Sequence, residues 1–273
     1  MVDGNSGGAH QAVGGVAKLA TAEGLKPSVR KDLQVRILPP LPSPSVLAPA
    51  GLAASQFAAY SYLLGMYLGD GYICRLQRTY RFHVSLHHRQ EWIIRRVTQA
   101  IATLRPGRPV GFRRRGAEVI VNAYSNAWPI LFPQHGPGRK HLRPIILESW
   151  QREIIERHPT EFVRGCLESD GCRHRRLVGG RNYPAYSFKN HSADILALFV
   201  WACGLLGLRP RRANRVTISI ARRADVARLD HVVEHDGTEH APPTLREAMA
   251  SYRLRSNDGN GLPMRKCAMP TSS

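Results

Sequence analysis

Two hydrophobic periods alternate along the middle of the chain. Ser55 is placed to cap a helix N-terminus. From there apolar residues recur at Phe57, Tyr60, Leu63, Leu64 and Leu68 with helical spacing, and the run stops at Gly69-Asp70-Gly71. Tyr80 to His87 then switches to strict alternation. Tyr80, Phe82, Val84 and Leu86 fall on one face, and Arg81, His83, Ser85 and His87 on the other, which predicts a half-buried strand with a basic, polar outer face. Gly71 to Arg78 is its expected hairpin partner. Ile93, Val97, Ala100, Ile101 and Leu104 restore the helical stripe until Pro106-Gly107. Val110 to Arg115 and Ala117 to Ser125 form a second hairpin turning at Gly116, and Ile146 to His158 a further helix ending before Pro159.

The same order then recurs. Thr160 to Ser169 is helical and ends in Asp170-Gly171, and Arg173 to Val178 and Tyr186 to His191 are strand-like. Ser192 caps a helix carrying Ile195, Leu198, Phe199, Ala202, Leu205 and Leu206, which Gly207 terminates. Val216, Ile218 and Ile220 alternate with polar residues, and Ala224 to His235 is a last helix. An internal duplication explains the repetition. The fold class expected is α+β, two copies of helix, two strands, helix, two strands, helix, with each sheet antiparallel. Residues 55–158 make the first repeat and 159–236 the second.

Neither end carries such a period. Residues 1–54 are rich in Gly, Pro, Ala and Ser, and Leu38-Pro39-Pro40-Leu41-Pro42-Ser43-Pro44 cannot propagate a helix, so an extended or disordered leader is expected. Val35-Arg36-Ile37 can be encoded by GTTCGAATC, the T-arm sequence of tRNA genes, so the reading frame is expected to overlap such a gene. Residues 237–273 form a polar tail, with one short helix foreseen from Pro243 to Leu254.

Composition adds a partner. Thirty-nine Lys and Arg against twenty Asp and Glu give a formal charge of +19, which calls for a polyanion such as nucleic acid. There is no apolar run of membrane-spanning length and no signal peptide, so an intracellular, nucleoid-associated protein is expected. The five cysteines (Cys74, Cys166, Cys172, Cys203 and Cys267) are scattered without a C-x-x-C pair; core thiols are expected rather than disulfides or zinc.

The chemistry concentrates in two aligned segments. Leu63-Leu64-Gly65-Met66-Tyr67-Leu68-Gly69-Asp70-Gly71 and Val163-Arg164-Gly165-Cys166-Leu167-Glu168-Ser169-Asp170-Gly171 lie 100 residues apart. Glycine inside a helix costs roughly 0.8–1 kcal/mol relative to alanine. Gly65 and Gly69, matched by Gly165 and Ser169, therefore need a compensating reason, and close packing of the two helices supplies it. Such packing brings Asp70 and Asp170 together. Converging carboxylates repel unless a cation sits between them, and a hard divalent ion, Mg2+ above all, suits two carboxylates. Glu168 lies two residues before Asp170, on another side of the helix, and is not expected to be a ligand. The twelve histidines show no accompanying metal-ligand pattern.

The paired motifs resemble those of the LAGLIDADG homing endonucleases, in the form with two repeats on one chain. Phe132-Pro133-Gln134-His135-Gly136-Pro137-Gly138-Arg139-Lys140-His141 and Ile218-Ser219-Ile220-Ala221-Arg222-Arg223 are similar to segments of free-standing actinobacterial members. The resemblance implies a saddle of two antiparallel sheets on double-stranded DNA and a monomer acting as a pseudo-dimer. It further implies one metal-binding acid per motif, Asp70 and Asp170, and a metal-dependent double-strand break at a long, quasi-symmetric site. Lys140 matches the basic residue that assists solvent near the metals, with Arg222 or Arg223 as its second-half counterpart. DNA contacts would come from Arg75, Arg78, Arg81, His83, Ser85, His87, Arg113, Arg114 and Arg115. In the second half they would come from Arg173, His174, Arg175, Lys189, Arg211, Arg212, Arg215, Thr217 and Ser219. Two other functions suit the same features: a DNA-binding regulator that no longer cuts, and an intron-splicing RNA maturase. An intein is disfavoured, because no splicing nucleophile opens the chain.

Overall fold

The computed structural model describes residues 51–233. The leader before residue 51, the tRNA-gene overlap at Val35 to Ile37, the tail with its helix from Pro243 and Cys267 lie outside the described residues. The first repeat runs α1 (Phe57–Leu68), β1 (Gly71–Arg75), β2 (Tyr80–His87), α2 (Glu91–Leu104), β3 (Val110–Arg115) and β4 (Glu118–Tyr124). Next come a short α3 (Trp128–Leu131) and α4 (Ser149–Arg157). The second runs α5 (Pro159–Asp170), β5 (Gly171–Val178), β6 (Arg181–Lys189), α6 (Ala193–Leu205), β7 (Arg211–Asn214), β8 (Thr217–Ile220) and α7 (Arg223–Val233). Each repeat folds its strands into a four-stranded antiparallel sheet with the same order, β1-β2-β4-β3 and β5-β6-β8-β7. The α+β duplication expected from the pattern is the fold observed.

Burial follows from the periods. The alternating residues Phe82, Val84 and Leu86 on β2, with Val119, Val121 and Ala123 on β4, are buried, and α2 covers them with Ile93, Ile94, Val97, Ala100, Ile101 and Leu104. α1 is different: every residue from Tyr60 to Leu68 is buried. A helix apolar all round belongs at the centre, and α1 lies there, packed along α5 and against α2 and α4. The connection between repeats is tied to α1 by a buried polar chain. The Tyr60 hydroxyl donates to the Leu131 carbonyl at 2.5 Å, Gln151 Nε2 donates to the Tyr60 hydroxyl at 2.7 Å, and Gln134 Nε2 donates to Gln151 Oε1 at 2.5 Å. Every buried polar group in that chain has a partner.

Several local expectations are corrected. Ser55 does not cap α1; it lies within a 3-10 turn over Ala54–Gln56, where the Ala53 backbone N–H donates to the Gln56 side chain. The helix expected from Ile146 starts at Ser149, because Glu148 and Gln151 form a capping pair there. β6 begins at Arg181 rather than Tyr186, since the Gly179-Gly180 turn, both with positive φ, closes a long hairpin with β5. Arg211–Asn214 forms β7, a strand that no hydrophobic alternation announces. Cys74, Cys166 and Cys203 are buried as expected, but Cys172 is exposed. Ser192 does cap α6, accepting from the Ile195 N–H at 3.4 Å. Among the described residues no helix is long and apolar enough to cross a membrane.

Candidate active site

α1 and α5 cross where each has a glycine. A Cβ on Gly65 would stand 2.5 Å from the Phe162 carbonyl oxygen and 2.9 Å from the Cys166 nitrogen. One on Gly165 would run into the Tyr62 carbonyl and come within 3.0 Å of the Met66 nitrogen. Backbone therefore meets backbone, and only hydrogen fits at either position. One turn further along, Gly69 has φ −83°, which any residue adopts. Its role is proximity: a Cβ there would overlap the Ser169 side chain and come within 3.1 Å of Asp170 Oδ2. The small-residue pairs Gly65/Gly165 and Gly69/Ser169 thus bring the Asp170 carboxylate against the end of α1, beside Asp70.

Both acids sit where a motif helix hands over to the first strand of its sheet, Asp70 before β1 and Asp170 before β5. The Asp70 carboxyl is pushed up to about 7, first by loss of solvent and then by the Asp170 charge, with Lys140 acting the other way. Asp170 is also raised, by burial, against the hydrogen bond from Asn190 and the positive charges of Lys140 and His191. Asp70 itself keeps an exposed edge and Asp170 is half-buried. Without a cation the Asp70 carboxyl therefore holds its proton into the neutral range.

Lys140 enters from the connection between the repeats. Its Nζ donates to the carbonyl oxygens of Tyr67, Leu68 at 3.0 Å and Gly69 at 2.5 Å, closing the C-terminal end of α1. Burial pulls its pKa down to about 8, while Asp170 and Asp70 oppose that. All three ammonium hydrogens have carbonyl partners, so Lys140 fixes the segment that presents Asp70 and brings a positive charge to both acids. Arg143 holds the supporting loop by donating to the carbonyls of Gln134, Pro137 and Gly138. Arg222 and Arg223, its expected counterparts, are exposed.

The group that meets Asp170 is Asn190, whose Nδ2 donates to Asp170 Oδ2 at 2.7 Å. The pattern gives no sign of it, because Asn190 reads as one more residue of the strand expected from Tyr186 to His191. The usable signal is in the duplication: register places Val84 opposite Gly71 and Phe188 opposite Gly171, so Asn190 occupies the position of the buried Leu86. Glu168, set aside from the sequence as a ligand, is tied up elsewhere. Its carboxylate accepts from the Tyr62 hydroxyl at 2.7 Å and from Arg96 on α2. Among the described residues no group of three or more His, Cys, Asp or Glu could hold a metal ion. Two converging carboxylates fit a hard cation that completes its shell with water and phosphate oxygens, as Mg2+ does.

The sheet faces sort the candidate contacts. The face turned away from the core carries Arg81, His83, Ser85, His87, Arg113 and Arg115 in the first half. In the second it carries His174, Lys189, Arg211, Thr217 and Ser219. It also carries Tyr72, Asn122 and Arg176, which the sequence pattern did not single out. Arg75, Arg114, Arg173, Arg175 and Arg212 have the opposite parity, and Arg78 and Arg215 lie in turns. Arg173 forms a bidentate pair with Asp230 of α7 at 2.7 and 2.9 Å, on the side of the sheet opposite the basic face. Arg212 bonds the carbonyls of its own hairpin turn, at Asn214 and Arg215. The His83 ring lies tilted against Tyr72, and burial together with Arg81 lowers its pKa to about 4, so it is neutral at physiological pH.

No protein-family model and no curated protein matches the chain. Among solved structures it is similar to the homing endonuclease I-DmoI in complex with DNA and Ca, at 16% identity over 72% of this chain and 98% of that one, with a TM-score of 0.45. I-DmoI in complex with DNA and Mn is similar at 13% identity over 66% of this chain and 99% of that one, with a TM-score of 0.44. The N-terminal LAGLIDADG domain of DUF199/WhiA is similar at 16% identity over 70% and 90%, with a TM-score of 0.42.

Proposed function

We propose that the protein is a metal-dependent DNA endonuclease that makes a double-strand break at a long, quasi-symmetric site, acting as a monomer with two half-sites. The observation that carries this reading is the glycine-mediated crossing of α1 and α5, which brings Asp70 and Asp170 together between two sheets with basic outer faces. The two carboxylates would hold divalent metal, most simply Mg2+, which supplies Lewis acidity toward a phosphate oxygen and lowers the pKa of water. Asp70 and Asp170 orient the attacking water, and Lys140 keeps the end of α1 fixed and its charge beside the developing negative charge. Water adds at phosphorus and the P–O3′ bond breaks, leaving a 3′ hydroxyl and a 5′ phosphate. Arg81, His87, Arg113, Arg115, His174, Lys189 and Arg211 would contact phosphates and base edges from the two sheets.

The test is incubation with a library of candidate intergenic duplexes, with and without Mg2+, comparing wild type with Asp70→Asn and Asp170→Asn. Cleavage by wild type that requires metal and falls by on the order of 10²-fold or more in either variant supports the reading. Tight, metal-independent binding with no cleavage by wild type would reject it in favour of a DNA-binding regulator.

A further inference from the structure

Asn190 is held on three sides. Its backbone N–H donates to the Val216 carbonyl at 2.9 Å, and its Oδ1 accepts the Ser192 backbone N–H at 2.9 Å. Its Nδ2 donates to Asp170 Oδ2 at 2.7 Å. A backbone N–H can only be met by an acceptor, so the turn at Ser192 fixes which end of the amide faces it. The amino end is then forced toward Asp170. The first half has nothing equivalent, since the matching position is Leu86, which is buried and apolar.

Resting on the endonuclease reading, we propose that Asn190 is the positioning residue of the second acid, fixing the orientation of the Asp170 carboxylate for metal, so that the two half-sites differ in construction. Asp70 is presented by a helix end that Lys140 closes from the connecting segment. Asp170 is held at its own oxygen by a side chain of its own repeat. A hydrogen bond to a carboxylate ligand selects which lone pairs remain for the cation, and loss of such an outer partner typically weakens metal affinity or activity about 10–100-fold.

The experiment compares wild type, Asn190→Ser and Ser192→Ala. Serine keeps an acceptor for the Ser192 N–H and is too short to reach Asp170 as well. Ser192→Ala removes the α6 cap alone and reports a purely structural defect in the same turn. Mn2+ binding to each protein is followed by electron paramagnetic resonance, and cleavage of a supercoiled plasmid bearing the site is followed by the ratio of nicked to linear product. Asn190→Ser is expected to bind Mn2+ about 10–100-fold more weakly at one site and to accumulate nicked circle, while Ser192→Ala matches wild type in both. Wild-type Mn2+ affinity and an unchanged nicked-to-linear ratio in Asn190→Ser overturn the assignment of Asn190 and leave the endonuclease reading intact. Wild type that neither binds Mn2+ nor cuts overturns both.

Discussion

Asp70 and Asp170 occupy the same place in two copies of one backbone, yet their surroundings share almost nothing. The first acid follows Leu68 and Gly69 and has Lys140, a residue from outside the repeat core, bonded to the last carbonyls of its helix. The second follows Glu168 and Ser169 and has Asn190 on its carboxylate. Glu168, the counterpart of Leu68, reaches across to Arg96 and Tyr62 of the first repeat and ties the halves together with a buried ion pair. What the two halves keep in common is the geometry that needs no side chain: strand order, helix crossing and the glycines at the crossing. Duplication preserves what backbone packing enforces, and the residues around each acid are free to diverge so long as each carboxylate remains held.

The crossing is where that common geometry breaks most sharply. Gly165→Ala puts a methyl group into the Tyr62 carbonyl, and neither backbone can yield without separating the helices. A loss of about 4 kcal/mol or more is expected, seen as a much lower urea midpoint or an insoluble product. Gly204→Ala, in α6 with open space around its Cβ, is the matching control and should instead gain roughly 0.5–1 kcal/mol. A gentle effect of Gly165→Ala would mean the helices are not in contact at this position.

The asymmetric tie between halves gives the next effect. Arg96→Met leaves the Glu168 carboxylate, 1% exposed, without its cation, and a loss of about 3 kcal/mol is expected. Arg95→Met removes only an exposed pair with Glu91 and should cost at most about 0.5 kcal/mol. Equal midpoints for the two variants in urea denaturation would show that Glu168 does not depend on Arg96.

The smallest effect separates the acids by pH. Because the folded protein raises the Asp70 carboxyl from 3.8 to about 7, the folded state binds protons that the unfolded state has released. The metal-free protein should therefore lose stability as pH rises from about 4 to about 7. The change in Tm from this source should be only about 1–3 °C, since Asp70 keeps solvent access. Mg2+ should raise Tm at pH 8 and hardly at pH 5, where the Asp70 carboxyl carries its proton. Asp170→Asn should lower the Asp70 pKa and flatten the dependence. A slope unchanged in Asp170→Asn would show that the acids do not sense each other.

Much of the fold was legible in the pattern. The alternation in Tyr80 to His87, the stripes in α1 and α2 and the repeat of the whole order all have local causes, side-chain period and glycine placement. Where the pattern misled, neighbours decided. Ser55 is no cap because the 3-10 turn over Ala54–Gln56 already encloses it, and β7 formed from arginines and a polar turn because β8 offered it a ladder. Arg173, expected at DNA, is paired with Asp230 of α7, a partner that spacing along the chain does not reveal.

The candidate site divides along the same line. The sequence by itself determined that two Asp-Gly helix ends exist in register, that glycines four apart would allow a close crossing and that the chain carries charge for a polyanion. Only tertiary structure decided that Lys140 closes the end of α1, that Glu168 is consumed in holding the halves together and that Asn190 grips Asp170. Those pairings join residues brought together by sheet register and helix crossing, and a carboxylate's behaviour depends on what stands within a few ångströms of it, which spacing along the chain does not encode.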